Sequence, residues 1–181
     1  NISSPNTENL RNFHNENELD KLLSTIESEK KKLNSKTPIA VKISPDIEDD
    51  IIEKTSEILL KYNVAAAIIS NSTDANRENL KNVNKFEKGG LSGKPLESKS
   101  NVLINKFYKN LKNKIKIIGV GGVDSGKSAF EKIINGASLV QLYTGMVYKG
   151  PNIAFKISDE LSNILENKGI KNISEVIGIK N

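Results

Sequence analysis

The chemistry available to this 181-residue chain is that of amides, hydroxyls and lysines. There is no cysteine, and the single histidine, His14, lies in a polar stretch, so disulfides, thiolate nucleophiles, metal chemistry and a histidine-centred triad are not expected. Lys42 stands between Val41 and Ile43. A charge inside a strand-like apolar run is costly unless it is used, so a functional role is expected for this lysine. Polar or glycine-rich groups follow each apolar run in turn: Ser44-Pro45-Asp46, Asn71-Ser72-Thr73, Gly121-Gly122 and Thr144-Gly145.

Residues Gly121 to Ser128 match the pattern G-x-x-x-x-G-K-S/T between an apolar strand and a helix, the context of a nucleotide-binding P-loop. Against that reading, no apolar strand ending in a magnesium-holding aspartate follows within Ala129 to Asn181. The glycines have a simpler use. Gly119, Gly121 and Gly122 let backbone N–H groups approach an anion at the start of a helix near Ser125.

These groups need a scaffold. Four apolar segments rich in Ile, Val and Ala, over 39–43, 65–70, 115–120 and 138–143, do not alternate with polar residues, as suits strands buried on both faces of a parallel sheet. Between them run helical spacings such as Leu19, Leu22, Leu23, Ile26 and Ile51, Ile52, Thr55, Ile58, Leu59, Tyr62. Helix starts are expected at Asp46, at Ser98 or Ser100, and at Ser125. Repeated strand and helix mean right-handed βαβ units, in either an open doubly wound sheet or a barrel, and local pattern alone does not choose between them. Because the polar groups collect at strand C-termini, the expected fold is a (β/α)8 TIM barrel of which the C-terminal half, about four βα units, is present. Residues 1–181 are expected to form one portion of a single domain, its start cut, with an uncovered inner sheet face and unpaired edges. The polar stretch Thr73 to Leu91 is a candidate lid with a short helical piece.

A formal charge of +5 is spread among many Asn and Ile residues, and only 5% of the chain is aromatic, so an RNA-binding face is not expected. No run approaches the roughly 18 to 20 apolar residues of a membrane span. Lys30-Lys31-Lys32 sits where a helix end favours cations.

Four segments taken together resemble class 2 dihydroorotate dehydrogenase: Asn1-Ile-Ser-Ser-Pro-Asn-Thr7, Val41-Lys-Ile-Ser-Pro-Asp46, Gly89-Gly-Leu-Ser-Gly-Lys-Pro-Leu96 and Ile117 to Thr144. The resemblance runs along essentially the whole chain. It implies oxidation of (S)-dihydroorotate to orotate in pyrimidine synthesis, with FMN taking the hydride and a membrane quinone, ubiquinone or another, taking the electrons. Class 2 follows from Ser4, where class 1 proteins carry cysteine. The resemblance assigns Ser4 as the base and Thr7 as its relay. It places Asn1 on flavin and substrate, and Asn6, Asn71 and Ser72 on substrate. Lys42, Ser70, Gly93, Gly122, Tyr143 and Thr144 fall to the flavin. Ser70 and Ser72 stand where threonine is common, keeping the hydroxyl, and Tyr143 could instead be core. A peripheral attachment to the bacterial inner membrane or the mitochondrial inner membrane, through N-terminal elements outside this chain, is also implied. The alternative from the residues alone is another phosphate-binding barrel, an isomerase or lyase, which would need a carboxylate pair; Asp46 is the only carboxylate so placed.

Overall fold

The computed structural model describes residues 1–75, 77–111 and 113–181. Four parallel strands, β1 (Ala40–Ile43), β2 (Ala66–Ile69), β3 (Lys116–Val120) and β4 (Leu139–Gln141), pair in sequence order into a single sheet. The register aligns Lys42 with Ile68 and Ile68 with Ile118, and Ile118 in turn with Leu139. Strands therefore fall where the apolar runs lie, each shorter than its run because the flanking residues turn out of the ladder.

The described residues form six helices, α1 (Glu16–Lys32), α2 (Asp49–Lys61), α3 (Glu97–Leu111), α4 (Gly126–Ile134), α5 (Thr144–Lys149) and α6 (Ile153–Asn167), of which α1 to α4 pack side chains against one face of the sheet. Val41, Ile43, Ala67, Ile69 and Ile117 point beneath them and form the core with Leu19, Leu59, Ile104 and Phe107. Residues one place along each strand point the other way. On that face Lys42, Ile68 and Ile118 are only half-buried and Leu139 is 61% exposed, so no second layer covers it among the described residues. The open edge of β1 carries one contact from the N-terminal segment, the Ile2 N–H donating to the Lys42 carbonyl at 3.4 Å.

Helix starts depart from expectation at two of three places. Ser125 caps α4 as expected, with a reciprocal bond to Ser128. α2 begins at Asp49 rather than at Asp46, because the Asp46 carboxylate is drawn instead to Arg11, Lys99 and Thr73. α3 begins at Glu97, so Ser100 lies inside the helix, fully buried, donating from Oγ to the Val120 carbonyl at 2.6 Å.

The stretch from Thr73 to Leu91 is closed at its neck by a two-way backbone bridge between those residues, and Val83–Phe86 form a 3-10 turn within it. Arg77 staples the stretch from inside, donating to the carbonyls of Lys85, Glu87 and Gly89.

Candidate active site

A cavity of about 610 Å³ opens at the C-terminal ends of the strands, and eight sequence-predicted positions line it: Lys42, Ser70, Asn71, Ser72, Gly93, Gly122, Tyr143 and Thr144. They come from the ends of β1, β2, β3 and β4 and from the loop before α3, so only the sheet brings them together. A groove of about 730 Å³ at the other end of the sheet, between Lys30, Asn34, Pro38, Asn63 and Lys116, holds none of the flavin, substrate or catalytic positions expected from the sequence.

One end of the cavity is built from backbone. Gly122 has φ +77°, and a Cβ there would lie 2.8 Å from Cα of Glu97, so neither the conformation nor the space admits a side chain. Gly93 has φ +76° and faces Thr144, whose Oγ1 shares a 2.8 Å hydrogen bond with Ser92 Oγ. Gly121, Gly122, Val123, Thr144 and Gly145 all line this end, and beyond the helical and strand ladders their N–H groups make no backbone bond among the described residues. N–H groups left open around one cavity suit an anion. Tyr143 is 79% exposed, so its ring packs into no core among the described residues.

The start of α4, by contrast, is already filled. Gly126 N–H donates to the Glu160 carboxylate, and a Cβ on Gly126 would fall 2.4 Å from Cβ of Glu160. Asp124 and Ser125 N–H both donate to Ser128 Oγ, and Lys127 is exposed. The anion position expected at this helix start is therefore occupied by the protein's own carboxylate, and the P-loop reading falls with it.

The other end is polar side chain. Lys42 is half-buried with no carboxylate in ion-pair reach among the described residues, and burial pushes its ammonium below the ordinary lysine value. Buried Ser70 donates its N–H to the Val120 carbonyl at 3.1 Å, which ties the ends of β2 and β3. Asn71 Nδ2 donates to Ser3 Oγ at 3.1 Å, and Ser3 Oγ donates to Asn1 Oδ1 at 2.6 Å. Asn1 thus joins the site through Ser3, a fully buried residue that sequence reasoning passed over in favour of its neighbour.

Ser4, Asn6 and Thr7 are not among the residues lining the cavity. Ser4 is half-buried, its Oγ accepting from Asn6 N–H at 3.2 Å, while Asn6 and Thr7 are exposed. Their segment reaches the site through Pro5. A Cβ on Gly90, in the cavity wall, would meet Ser72 Oγ at 2.1 Å and Pro5 Cγ at 3.0 Å, so glycine there lets the three segments close up.

Two further groups are settled by their contacts. Asp46, the carboxylate that the sequence placed at a strand end, does not line the cavity and is held by Arg11, Lys99 and Thr73, a structural knot rather than a free catalytic group; the carboxylate in the cavity lining is Asp124, paired with Lys149. His14, despite its polar surroundings in sequence, is buried; it accepts from Ser44 N–H at Nε2 (3.1 Å), and its Nδ1 lies 3.0 Å from the Arg11 carbonyl. That pairing fits a neutral ring with its proton on Nδ1.

Four parallel βα units, with a cavity built from their C-terminal ends and the following loops, define half of a (β/α)8 barrel of the enzyme-bearing kind. The chain belongs to the dihydroorotate dehydrogenase family, whose model matches residues 1–165. It is 40% identical to a dihydroorotate dehydrogenase (quinone) of Trichodesmium erythraeum, over all of this chain and 49% of the relative. To the mitochondrial dihydroorotate dehydrogenase (quinone) of Mus musculus it is 39% identical, over 99% of this chain and 46% of the relative. The crystal structure of DHODH from Eimeria tenella in complex with ferulenol superposes with a TM-score of 0.94 at 34% identity, covering 99% of this chain and 52% of that one. The chain thus spans about half the length of the curated relatives it matches.

Proposed function

We propose that the protein containing this chain oxidises (S)-dihydroorotate to orotate in pyrimidine biosynthesis, with FMN as hydride acceptor and a membrane quinone as the final acceptor. In this reading residues 1–181 are the C-terminal portion of a single FMN-binding barrel domain. The observation that carries it is the convergence of eight expected flavin and substrate positions on one cavity. The residues present fit FMN: the open N–H groups and the side-chain-excluding Gly122 suit its phosphate, and the unpaired, half-buried Lys42 suits a ring that gains negative charge. Gly93, Tyr143 and Thr144 would hold the ribityl-phosphate arm, with Ser70 and Asn1 on the ring. Bound there, FMN would accept the hydride leaving substrate carbon 6.

The chain's own part in the reaction is to orient the substrate and move one proton. Asn1, Asn6, Asn71 and Ser72 offer donors and acceptors to a planar ligand rich in carbonyl and N–H groups. Ser4 Oγ takes the proton from carbon 5, with Thr7 relaying it outward. A lone serine is too weak a base for this, so positioning and exclusion of water must lower the barrier. Quinone use is supported by Ser4 at the base position and by the names of the relatives. No helix among the described residues is long and apolar enough to cross a membrane, and peripheral attachment at a bacterial or mitochondrial inner membrane would rest on parts of the protein outside this chain.

The test is made on the full-length gene product. Its visible spectrum should carry a flavin band that bleaches on anaerobic addition of dihydroorotate and returns with quinone. Ser4→Ala at neutral pH should slow the bleaching by about 10²–10⁴-fold, the usual worth of a general base. A colourless protein, or a flavin indifferent to dihydroorotate, would instead favour another phosphate-binding barrel.

A further inference from the structure

The least expected group in the molecule is Lys132, on α4. It is 0% exposed and carries no carboxylate within ion-pair distance among the described residues. Its Nζ donates to Asn101 Oδ1 at 2.7 Å and to Ser100 Oγ at 3.2 Å. Room for its aliphatic chain is made inside β3: a Cβ on Gly119 would lie 2.9 Å from Lys132 Cδ and 3.0 Å from both Ala137 and Ile104. A glycine in the interior of a strand is unfavourable in itself, so here the strand gives up a side chain to admit a buried lysine.

Burial lowers the Lys132 ammonium to about 8, while the nearby Glu97 works to raise it, so the group remains mostly charged at neutral pH. A buried cation paired only with neutral oxygens costs stability, and an apolar residue of similar size would avoid that cost. Lys132 reaches toward the cavity through one residue. Ser100 Oγ, which accepts from Lys132, donates to the Val120 carbonyl, and that carbonyl also accepts the N–H of Ser70. A Cβ on Gly121 would sit 3.3 Å from Ser100 Cβ. The lysine thus stands directly behind the loop whose N–H groups face the cavity.

We infer that Lys132 is a positioning residue for the anion seat: through Ser100 it fixes the Val120–Gly122 turn, and its charge from behind favours a phosphate in front. This rests on the FMN reading above. It explains why a charge is kept where packing alone would prefer methionine, and it assigns to Ser100 and Gly119 a function at one remove.

The experiment uses the full-length gene product, stripped of flavin, with FMN and riboflavin added separately and dissociation constants read from flavin fluorescence quenching. Riboflavin shares the ring and lacks the phosphate. Lys132→Met should weaken FMN on the order of tenfold, about one charge's worth, and leave riboflavin unchanged, while the thermal midpoint of the apoprotein holds or rises. Equal FMN affinity in the variant and parent would overturn the inference, and so would an equal loss for both flavins, which marks a merely structural residue. Should Lys132→Met lose cooperative unfolding, Ser100→Ala decides by the same ratio: FMN weakened relative to riboflavin supports the role, and an unchanged ratio overturns it. Should the unmodified protein bind neither flavin, the FMN reading itself fails and this inference falls with it.

Discussion

His14 shows how a residue can be misjudged from its neighbours in sequence. Set in a mostly polar stretch, it is nevertheless buried, and burial pushes its imidazole below the ordinary value, outweighing the bond to the Arg11 carbonyl that acts the other way. The fold therefore favours the neutral ring, whose Nε2 accepts the N–H of Ser44 just beyond the strand that carries Lys42. The unfolded chain binds a proton more readily than the folded one, so this contribution is fully present above the unfolded value of about 6.5 and is lost as pH falls below it. The urea midpoint of the full-length protein should drop between pH 7 and pH 5, and in His14→Gln that part of the pH dependence should flatten. Lys132 escaped sequence reading for a related reason. One lysine among many shows no local mark of burial, and the sign that could have been read was a glycine, Gly119, in the middle of an Ile-Ile-Gly-Val strand.

The strand positions were legible because β2 is continuously apolar and β3 is so after Lys116, and the polar groups after each strand pointed to the right end of the sheet. Helix starts were less legible. A Ser or Asp before an apolar run is only a candidate cap, and tertiary partners decide its use: Val120 claims Ser100, and Arg11, Lys99 and Thr73 claim Asp46. The Gly-Lys-Ser pattern misled for the same cause, since nothing near it in sequence announces that Glu160 from α6 covers the start of α4. At this scale the turn between β3 and α4 carries a clear expectation. Gly122→Ala forces a side chain into a positive-φ position against the Glu97 backbone, at a cost of about 1–3 kcal/mol, and should lower the thermal midpoint measured by calorimetry. It should also leave the purified protein paler than the parent, since Gly122 forms part of the anion seat.

Taken whole, the chain is finished on one side and unfinished on the other. Its helix-covered face has a buried apolar core, while the opposite face leaves Ile68 and Ile118 half-covered and Leu139 exposed, and the outer edges of β1 and β4 have no strand partner among the described residues. Unpaired edges and open apolar surface promote association. Residues 1–181 expressed alone should sediment as concentration-dependent oligomers, and Leu139→Lys should shift that distribution toward monomer in analytical ultracentrifugation. The sequence showed four strands and so half a barrel, because strand count survives in apolar periodicity. It did not show the placement of Ser4, Asn6 and Thr7 away from the cavity lining, since that depends on how a short segment lies against Gly90 and Ser72.

The stapled stretch between Thr73 and Leu91 has a consequence for the life of the molecule outside catalysis. Exposed tips such as Lys81 to Asn84 are where a digestive protease cuts first. Arg77, itself half-buried, grips three carbonyls on the far side of that tip, and the neck is bridged in both directions. A cut at the tip would leave two pieces still clasped together, so the molecule could carry a severed covalent backbone there and keep its shape.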